Sequence, residues 1–475
     1  MPTRGQGLFI GYLLAINIIL SAAGYKVTSP NSWYETRENQ IANYIANRTG
    51  ALSAANLSLL VLFAGRNNFL LWLTNWSHST FLLMHRWIAA ICTIQACLHS
   101  AMYLQSYIEV LKDFGSVSKL DYWTWGVVST ITMVALLPAS MYYLRKRFYE
   151  LFLVFHILLA FFAIIGYYYH IYLRFGRQWG YELWAYIAFA IWAFDRVTRV
   201  LRLSRNGVKN ARVTVVDQDY VRLDVPGVSA TGQAYLYFPT LTWRVWENHP
   251  FSVAGSLLRD TASHHHQHHA TANTNEKVPT QSKTAVGSDS DSNASIQHPC
   301  TECRPITFGL TFFVRTHTGL TQHLRTRKTV PVLVESSYGH SLLHDQHAEL
   351  DTSPDLVCIA GGVGITAILP LLAKHAGMRK LYWGLRNRGL EEAVRDIFDS
   401  HGLVGVQRHV SVGQRLDVRS ILEREIGSAE ARGSKIAVVV SGPAGMADEV
   451  RTTVARLASR SKNAEVTLIE ECYSW

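Results

Sequence analysis

Six long apolar runs dominate the first 200 residues of this chain and constrain its fold more than any other feature. They lie at about 7–24, 51–65, 81–108, 122–143, 150–173 and 180–194. A helix needs roughly 20 apolar residues to cross the hydrocarbon core of a bilayer. Residues 1–200 contain only 23 of the 80 Asp, Glu, Lys and Arg residues, and the other 57 follow in residues 201–475. The sequence therefore predicts six membrane-spanning helices in a first domain, residues 1–205, and a water-soluble second half.

Basic residues lie beside these apolar runs rather than in a basic motif interleaved with aromatic residues. The formal net charge is +10, and this placement favours a membrane surface over nucleic acid. Arg145–Arg147 and the basic residues after the sixth run assign one side of the bilayer to the cytoplasm, because short cytoplasmic loops are enriched in Lys and Arg. We therefore expect a multi-pass protein of the plasma membrane whose C-terminal domains are cytosolic.

Two features of the N-terminal region bear on this topology. The first apolar run follows Arg4 but lacks a good small-residue cleavage pattern, so we expect it to be retained as a span rather than removed as a secretory signal. Asn47-Arg48-Thr49 is an N-glycosylation sequon that the topology puts in the first outward loop. The six cysteines are too scattered for a disulfide scaffold.

Four histidines are the ionisable residues of interest inside the apolar runs. His85 and His99 lie in the third run, His156 and His170 in the fifth, and each pair is 14 residues apart. Fourteen helical residues turn through about 1400°, so both members of a pair face the same way about 21 Å apart. Two such helices side by side predict two stacked histidine pairs, which suits bis-imidazole ligation of two hemes. Satisfied packing histidines or a proton relay are the alternatives.

The next segment, residues 206–345, has short β-rich runs separated by polar and glycine-containing stretches, which indicates a small barrel. Residues 261–305 interrupt it with a Ser-, Thr-, His- and Asn-rich stretch that has no apolar period, so we expect a disordered insertion. The insertion carries the run His264–His269 and the pair Cys300 and Cys303. These residues suggest either metal sensing or, more simply, a solvated linker.

Strands and helices alternate in residues 346–475, which predicts a parallel sheet flanked by helices. The first strand runs into a glycine turn at a helix start, where main-chain amides suit a phosphate; its residues are Gly361, Gly362, Val363, Gly364, Ile365 and Thr366. Arg386 ends the second strand, where a cation favours a 2′-phosphate and hence NADPH over NADH. Ser441, Gly442 and Pro443 end another strand at the same edge. Plain strand–helix packing and a solvated basic edge are the alternatives.

These motifs together resemble the fungal ferric reductases, relatives of the NADPH oxidases. The resemblance rests on the spaced histidines, the glycine turn, Ser441–Pro443 and three further segments, namely Gly65–Asn68, His249–Ser252 and Glu471–Trp475. It covers residues 48–475 apart from the insertion. It implies a multidomain fold: a six-helix transmembrane heme bundle, a ferredoxin-reductase-like β-barrel FAD domain and an α/β nucleotide-binding domain.

The resemblance also implies roles for individual residues. His249, Pro250, Phe251 and Ser252 would line the FAD, with the Ser252 hydroxyl near its redox-active edge. Gly319 and Thr321 are similar to residues that contact the nicotinamide cofactor or the flavin phosphates, and the terminal Trp475 would stack on the flavin until nicotinamide displaces it. Glu335–Gly339 reads Glu-Ser-Ser-Tyr-Gly instead of the usual Glu-Gly-Pro-Tyr-Gly.

The expected function is electron transfer from cytosolic NADPH through FAD and two b hemes to Fe(III) chelates outside, with Cu(II) as an alternative acceptor. An iron permease or a multicopper oxidase would be a candidate downstream partner. Two other functions remain open. One is a superoxide-generating NADPH oxidase, and the other is a non-enzymatic heme protein or proton conduit.

Overall fold

A computed structural model describes residues 3–74, 76–259, 306–316, 320–338, 350, 352–399, 401–461, 463 and 465–471. The predicted insertion at 261–305, with its histidine run and cysteine pair, lies outside the described residues, as do Gly319 and Trp475.

Nine α-helices of the described residues precede the first strand. In chain order they are α1 (Arg4–Ala22), α2 (Arg37–Ala64), α3 (Phe69–Thr74), α4 (His78–Gln105), α5 (Phe114–Val117), α6 (Asp121–Ala139), α7 (Tyr142–Arg147), α8 (Tyr149–Phe175) and α9 (Leu183–Asn206). A π-helical turn, Ser106–Val110, extends α4. Side-chain caps begin three of them: the Thr3, Thr36 and Ser77 hydroxyls accept main-chain N–H groups in the first turns of α1, α2 and α4.

Within the described part of the chain, four helices are long and apolar enough to cross a membrane: α1, α4 with its π-helical extension, α6 and α8. The second and sixth expected spans fall within α2 and α9. Helix α2 begins at Arg37 rather than near residue 51, because the polar side chains of its first turns, such as Asn39 and Gln40, are buried in the bundle. Helix α9 continues to Asn206 rather than ending near 194. Six spans therefore remain a prediction.

The long α2 corrects the expected place of the glycosylation sequon. Asn47-Arg48-Thr49 lies inside this helix rather than in a loop. Thr49 is 1% exposed and its hydroxyl donates to the Ile45 carbonyl oxygen at 2.8 Å. The sequon therefore lies on a helix of the bundle, with Thr49 packed inside and Asn47 exposed.

A buried polar network joins α1 to the rest of the bundle. Asn17 of α1 accepts through Oδ1 from Asn56 Nδ2 at 2.7 Å and from Gln95 Nε2 at 3.2 Å. Asn56 Nδ2 also donates to Gln95 Oε1 at 2.8 Å. Helix α2 packs along α4, and α6 packs along α8.

The first sheet contains seven antiparallel strands: β1 (Val208–Val215), β2 (Tyr220–Pro226), β3 (Gln233–Tyr237), β4 (Asn248–Ser252), β5 (Gly255–Arg259), β6 (Ile306–Arg315) and β7 (Thr329–Tyr338). Their spatial order is β4-β3-β7-β1-β2-β6-β5. Val221, Leu223 and Val225 of β2 lie in the core of this sheet, and Tyr220 and Arg222, which point to its other face, are buried as well. The sheet is curled: only two residues separate the edge strands β4 and β5, and the Ala254 N–H donates to the Thr311 carbonyl oxygen at 2.9 Å. Closure into a barrel remains a prediction.

The second sheet contains five parallel strands: β8 (Asp355–Gly361), β9 (Met378–Leu385), β10 (Gln407–Val412), β11 (Ile436–Ser441) and β12 (Val466–Glu470). Helices Ile365–Lys374, Gly389–Phe398, Val418–Arg432 and Ala444–Ala458 connect them. The order β10-β9-β8-β11-β12 reverses between β8 and β11. Ligands of such sheets bind at the carboxyl ends of the strands where the order reverses. The expected α/β architecture is therefore confirmed.

Candidate functional site

The four histidines form two facing pairs between α4 and α8. The ring centres of His85 and His156 are 6.1 Å apart, and those of His99 and His170 are 6.0 Å apart. We call the end of the bundle that faces the two sheets the inner end, and the opposite end the outer end. The first pair lies toward the inner end and the second toward the outer end.

Each imidazole is held by a hydrogen bond at Nδ1. Three of these bonds run to main-chain carbonyl oxygens: His85 to Leu60 at 2.9 Å, His99 to Ala46 at 2.8 Å and His170 to Tyr122 at 2.9 Å. The fourth joins His156 Nδ1 and the Ser140 hydroxyl at 3.3 Å. A carbonyl oxygen can only accept, so Nδ1 carries the proton in the first three and the Nε2 lone pair remains available. This outer shell is the usual arrangement of a metal-binding histidine.

Two glycines leave the space that the outer histidine rings need to reach their carbonyl partners. A Cβ on Gly50 of α2 would lie 2.5 Å from His99 Nδ1, and one on Gly126 of α6 would lie 2.6 Å from His170 Nδ1. Each glycine is four residues after the residue whose carbonyl accepts the histidine N–H, because helical carbonyls point toward residue i+4. Sequence reasoning missed both, although a glycine inside an apolar helix, opposite a histidine, is a signal worth seeking.

An apolar layer separates the two histidine pairs. It contains Leu57, Cys92, Met133, Ala163 and Ile164, all at most 8% exposed. Cys92 and Ala163 occupy the midpoints of the two 14-residue intervals. The interior between the pairs is therefore packed and mainly apolar, and its buried serines, Ser53 and Ser129, donate to the carbonyl oxygens of Cys92 and Ala163.

Strand β4, which carries the predicted flavin residues, lies against the inner end of the bundle. His249, Pro250, Phe251 and Ser252 are all partly buried and pair with β3. His249 Nε2 lies 3.1 Å from Glu247 Oε1, and both residues cluster with Glu150 in the first turn of α8. Because His156 lies later on that same helix, this contact places β4 beside the inner histidine pair. Phe251 packs against the core of the first sheet.

The glycine turn after β8 packs tightly against the end of β11. A Cβ on Gly364 would collide with the Ser441 carbonyl, and one on Gly361 would lie 2.8 Å from Pro443 Cδ. Gly362 has φ +54°, a conformation that side chains disfavour. Structural packing thus explains these glycines, and it also brings the two predicted nucleotide motifs together at the reversal point of the sheet.

Hydroxyl groups in these motifs are already hydrogen-bonded. Thr366 donates to the Val363 carbonyl at 2.9 Å, and Ser441 donates to the Glu471 carbonyl at 2.8 Å. Both residues are buried, at 4% and 2% exposure, as is Ile365. Any phosphate bound here would therefore meet main-chain amides, including those near Gly442, rather than these hydroxyls.

The remaining predicted residues lie on the surface of the soluble half. Arg386 follows β9 and is exposed, and within the described residues it forms no ion pair. Thr321 lies in a short helix, Leu320–His323, whose Leu320 is buried in the core of the first sheet.

Sequence reasoning also missed a contact between the bundle and the first sheet. Arg66, two residues after α2, stacks on Tyr235 of β3 with its guanidinium carbon 3.5 Å from the ring centre, and its NH1 lies 3.5 Å from Glu335 Oε2 of β7. Burial alone would lower the pKa of Arg66, but Tyr235 and Glu335 outweigh burial and raise it. The guanidinium is therefore firmly charged. The only sequence signal was the segment Gly65–Asn68.

The chain is similar to ferric reductase transmembrane components in comparisons with known proteins. The family described as "Ferric reductase like transmembrane component" matches residues 49–167. Ferric/cupric reductase transmembrane component 1 of Candida albicans is 29% identical over 82% of this chain and 45% of that protein. Ferric reductase transmembrane component 3 of Saccharomyces cerevisiae is 32% identical over 55% of this chain and 36% of that protein. The chain thus spans less than half the length of either relative.

Among solved structures, the ferredoxin reductase in carbazole 1,9a-dioxygenase is 13% identical, with a TM-score of 0.33 over 55% of this chain and 69% of that one.

Proposed function

We propose that this chain transfers electrons from NADPH on one side of a membrane to Fe(III) chelates on the other. The proposal is supported by its similarity to the fungal ferric and cupric reductase transmembrane components, which are oxidoreductases. The observation that carries the proposal is the pair of facing histidine couples, 6.1 and 6.0 Å between ring centres, stacked through one bundle.

The histidines fit b hemes as cofactors. A metal about 2 Å from one nitrogen of each of two rings needs ring centres roughly 6 Å apart, as found here. His85 and His156 would hold one heme iron, and His99 and His170 the other. The hydrogen bonds at Nδ1 orient each Nε2 and set the basicity of the ligand. The layer around Cys92 and Met133 packs the space between the sites with mainly apolar side chains, and the buried hydroxyls of Ser53 and Ser129 donate to main-chain carbonyls there.

The first sheet would hold FAD and the second would hold NADPH. Phe251 would pack against the flavin ring, Ser252 would approach its redox-active edge, and His249 and Pro250 would complete the wall, with Gly319, Thr321 and Trp475 as further contacts. The glycine turn at 361–366, with Ser441–Pro443, would bind the NADPH pyrophosphate, and Arg386 its 2′-phosphate. When bound, FAD would accept two electrons as a hydride and release them one at a time, and the hemes would carry single electrons.

We place the inner end and both sheets in the cytosol of a plasma-membrane protein with six spans. Support comes from the basic residues at the inner end, Arg145–Arg147 among them, because short cytoplasmic loops are enriched in Lys and Arg. An acceptor outside the cell would meet the outer pair, His99 and His170.

A proteoliposome assay tests the proposed function. Full-length protein is loaded with heme and FAD and reconstituted with its soluble half outside, and ferric citrate with a colorimetric Fe(II) chelator is trapped in the lumen. External NADPH should produce luminal Fe(II), and superoxide dismutase in the lumen should leave the rate unchanged. Complete loss of signal with dismutase would instead identify a superoxide-generating oxidase. No signal under any condition would contradict electron transfer altogether.

A further inference from the structure

Arg66 connects the membrane bundle to the first sheet through three contacts. Its NH2 group donates to Asn248 Oδ1 of β4 at 2.9 Å, its guanidinium lies over the Tyr235 ring of β3, and its NH1 group faces Glu335 of β7 at 3.5 Å. One side chain from the bundle therefore touches three neighbouring strands. One of these, β4, carries the predicted flavin residues.

Glu335 is built to receive this cation. It is 0% exposed, and the hydroxyls of Tyr237, at 2.6 Å, and Tyr338 both donate to its carboxylate. Burial and then the Glu335 charge raise the pKa of both tyrosines, so they stay protonated as donors. A buried carboxylate needs a charged partner as well as donors. Among the described residues, Arg66 supplies that charge.

The segment that carries Arg66 is fixed to the inner histidine pair. Leu60, in the last turns of α2, accepts the Nδ1 hydrogen bond of His85. Asn67 donates through its main-chain N–H to Asp195 Oδ1 of α9 at 2.9 Å. A displacement of the Arg66 contact would therefore change where the sheet sits relative to His85.

Helix α9 provides the other attachment. It runs directly into β1, Arg202 donates to the Ser337 carbonyl at 2.7 Å, and Asn206 donates to the Val334 carbonyl at 2.8 Å. Without Arg66 the sheet would stay attached on this side and could pivot about it. On the side that includes β4, Arg66 supplies a hydrogen bond to Asn248, next to the cluster that His249 and Glu247 form with Glu150 of α8.

We propose that Arg66 is a positioning residue that, through Glu335, holds the flavin-binding strand at a fixed separation from the inner histidine pair. The inference rests on the proposed function. Loss of Arg66 should slow electron delivery to the inner heme while hydride transfer from NADPH to the flavin continues at its normal rate.

Anaerobic stopped-flow mixing of NADPH with the full-length, cofactor-loaded protein separates these two rates. Flavin bleaching reports hydride transfer, and the heme α-band reports electron arrival. In Arg66→Gln the heme rate should fall below the wild-type rate while the flavin rate stays unchanged, because the flavin-binding strand loses its hydrogen bond to the segment that carries Arg66. Arg66→Lys should recover part of the rate, because it keeps the charge but not the planar stacking on Tyr235.

Two further variants define the pair and the control. Glu335→Gln should slow heme reduction as Arg66→Gln does, and the double variant should be no slower than the worse single variant if the two residues act together. Arg147→Gln removes an exposed cation from the same end of the bundle and should leave both rates at wild-type values. Heme and flavin are counted in every sample.

The outcomes are distinguishable. An unchanged heme rate in Arg66→Gln, or equal slowing of flavin and heme reduction, overturns the positioning role while leaving the proposed function in place. If Arg66→Gln cannot be purified, Arg66→Lys gives the same comparison. A wild-type protein whose flavin bleaches but whose hemes stay oxidised contradicts the proposed function itself.

Discussion

The imidazole of His99 on α4 and that of His170 on α8 lie 6.0 Å apart, ring centre to ring centre, and each is held at Nδ1 by a carbonyl oxygen of another helix. The same relationship recurs at the inner end between His85 and His156, where Ser140 takes the place of one carbonyl. Two facing pairs at two depths are the arrangement that the proposed electron transfer across a bilayer would use. A lone packing histidine would explain neither the pairing nor the available Nε2 lone pairs of His85, His99 and His170.

Replacement of Gly50 should remove the outer heme selectively. In Gly50→Val the new Cβ would lie where His99 Nδ1 now approaches, at 2.5 Å, so the ring would have to turn away from its carbonyl partner. We expect heme content to fall from two to one per chain, measured as the pyridine hemochrome. Gly11→Val on α1 is the control, because nothing lies within 4 Å of a Cβ there. Two hemes retained in Gly50→Val would contradict the steric argument.

The Asn17–Asn56–Gln95 network should stabilise the packing of α1. Asn56→Leu removes the Nδ2 group that donates to the side-chain oxygens of Asn17 and Gln95. Each of these buried oxygens then loses one hydrogen bond. We expect a loss of about 1 kcal/mol in the free energy of unfolding, the size measured for hydrogen bonds between membrane helices. Thermal unfolding in detergent measures it. Ile94→Ala is the control. Ile94 precedes Gln95 in the sequence and is 58% exposed, so its replacement should change stability less.

Arg386 should determine the preference for NADPH. Arg386→Ala removes the cation proposed to bind the 2′-phosphate, and a hydrogen bond to a charged group contributes about 1.5–3 kcal/mol. The ratio of kcat/KM for NADPH to that for NADH should therefore fall about tenfold or more. Arg460→Ala is the control and should leave the ratio unchanged. Arg460 follows helix Ala444–Ala458 and so lies near the amino ends of the strands, away from Arg386 at a carboxyl end. An unchanged ratio in Arg386→Ala would contradict the assignment.

Acid should destabilise the second sheet through Glu425. Lys380 Nζ at 2.8 Å and the Tyr382 hydroxyl at 2.6 Å both donate to this carboxylate. Burial alone would raise the pKa of Glu425, but these donors outweigh it and lower the pKa. A lowered folded-state pKa contributes stability that is complete above the unfolded value, about 4.3, and is lost as pH falls through the folded value.

The matched variant isolates this contribution. Glu425→Gln should be less stable than wild type at neutral pH, and the difference should shrink as pH falls below about 4. Thermal unfolding at several pH values, followed in the soluble half, measures the difference. A constant difference across that pH range would exclude the carboxylate as its source.

Some of this structure follows directly from sequence patterns. The 14-residue intervals predict histidines on one face of a helix, since the angle per residue is fixed, and the alternation of strands and helices predicts the parallel sheet. The start of α2 at Arg37 was not predictable from apolarity, because its polar residues are buried against partners that hydropathy does not include. Strands β4 and β5 were not predicted, because their few apolar residues are adjacent rather than alternating. The carbonyl partners of the histidines and the Arg66–Glu335 contact depend on helix packing, which no local pattern specifies.

The most direct test of the central claim is to count hemes and flavin in purified protein, together with a reduced-minus-oxidised optical spectrum. Wild type should contain two low-spin hemes and one flavin per chain. His99→Ala and His170→Ala should each contain one heme, and His409→Ala, which changes a histidine in the soluble half, should contain two. Absence of heme from wild type, or two hemes in His99→Ala, would contradict the account.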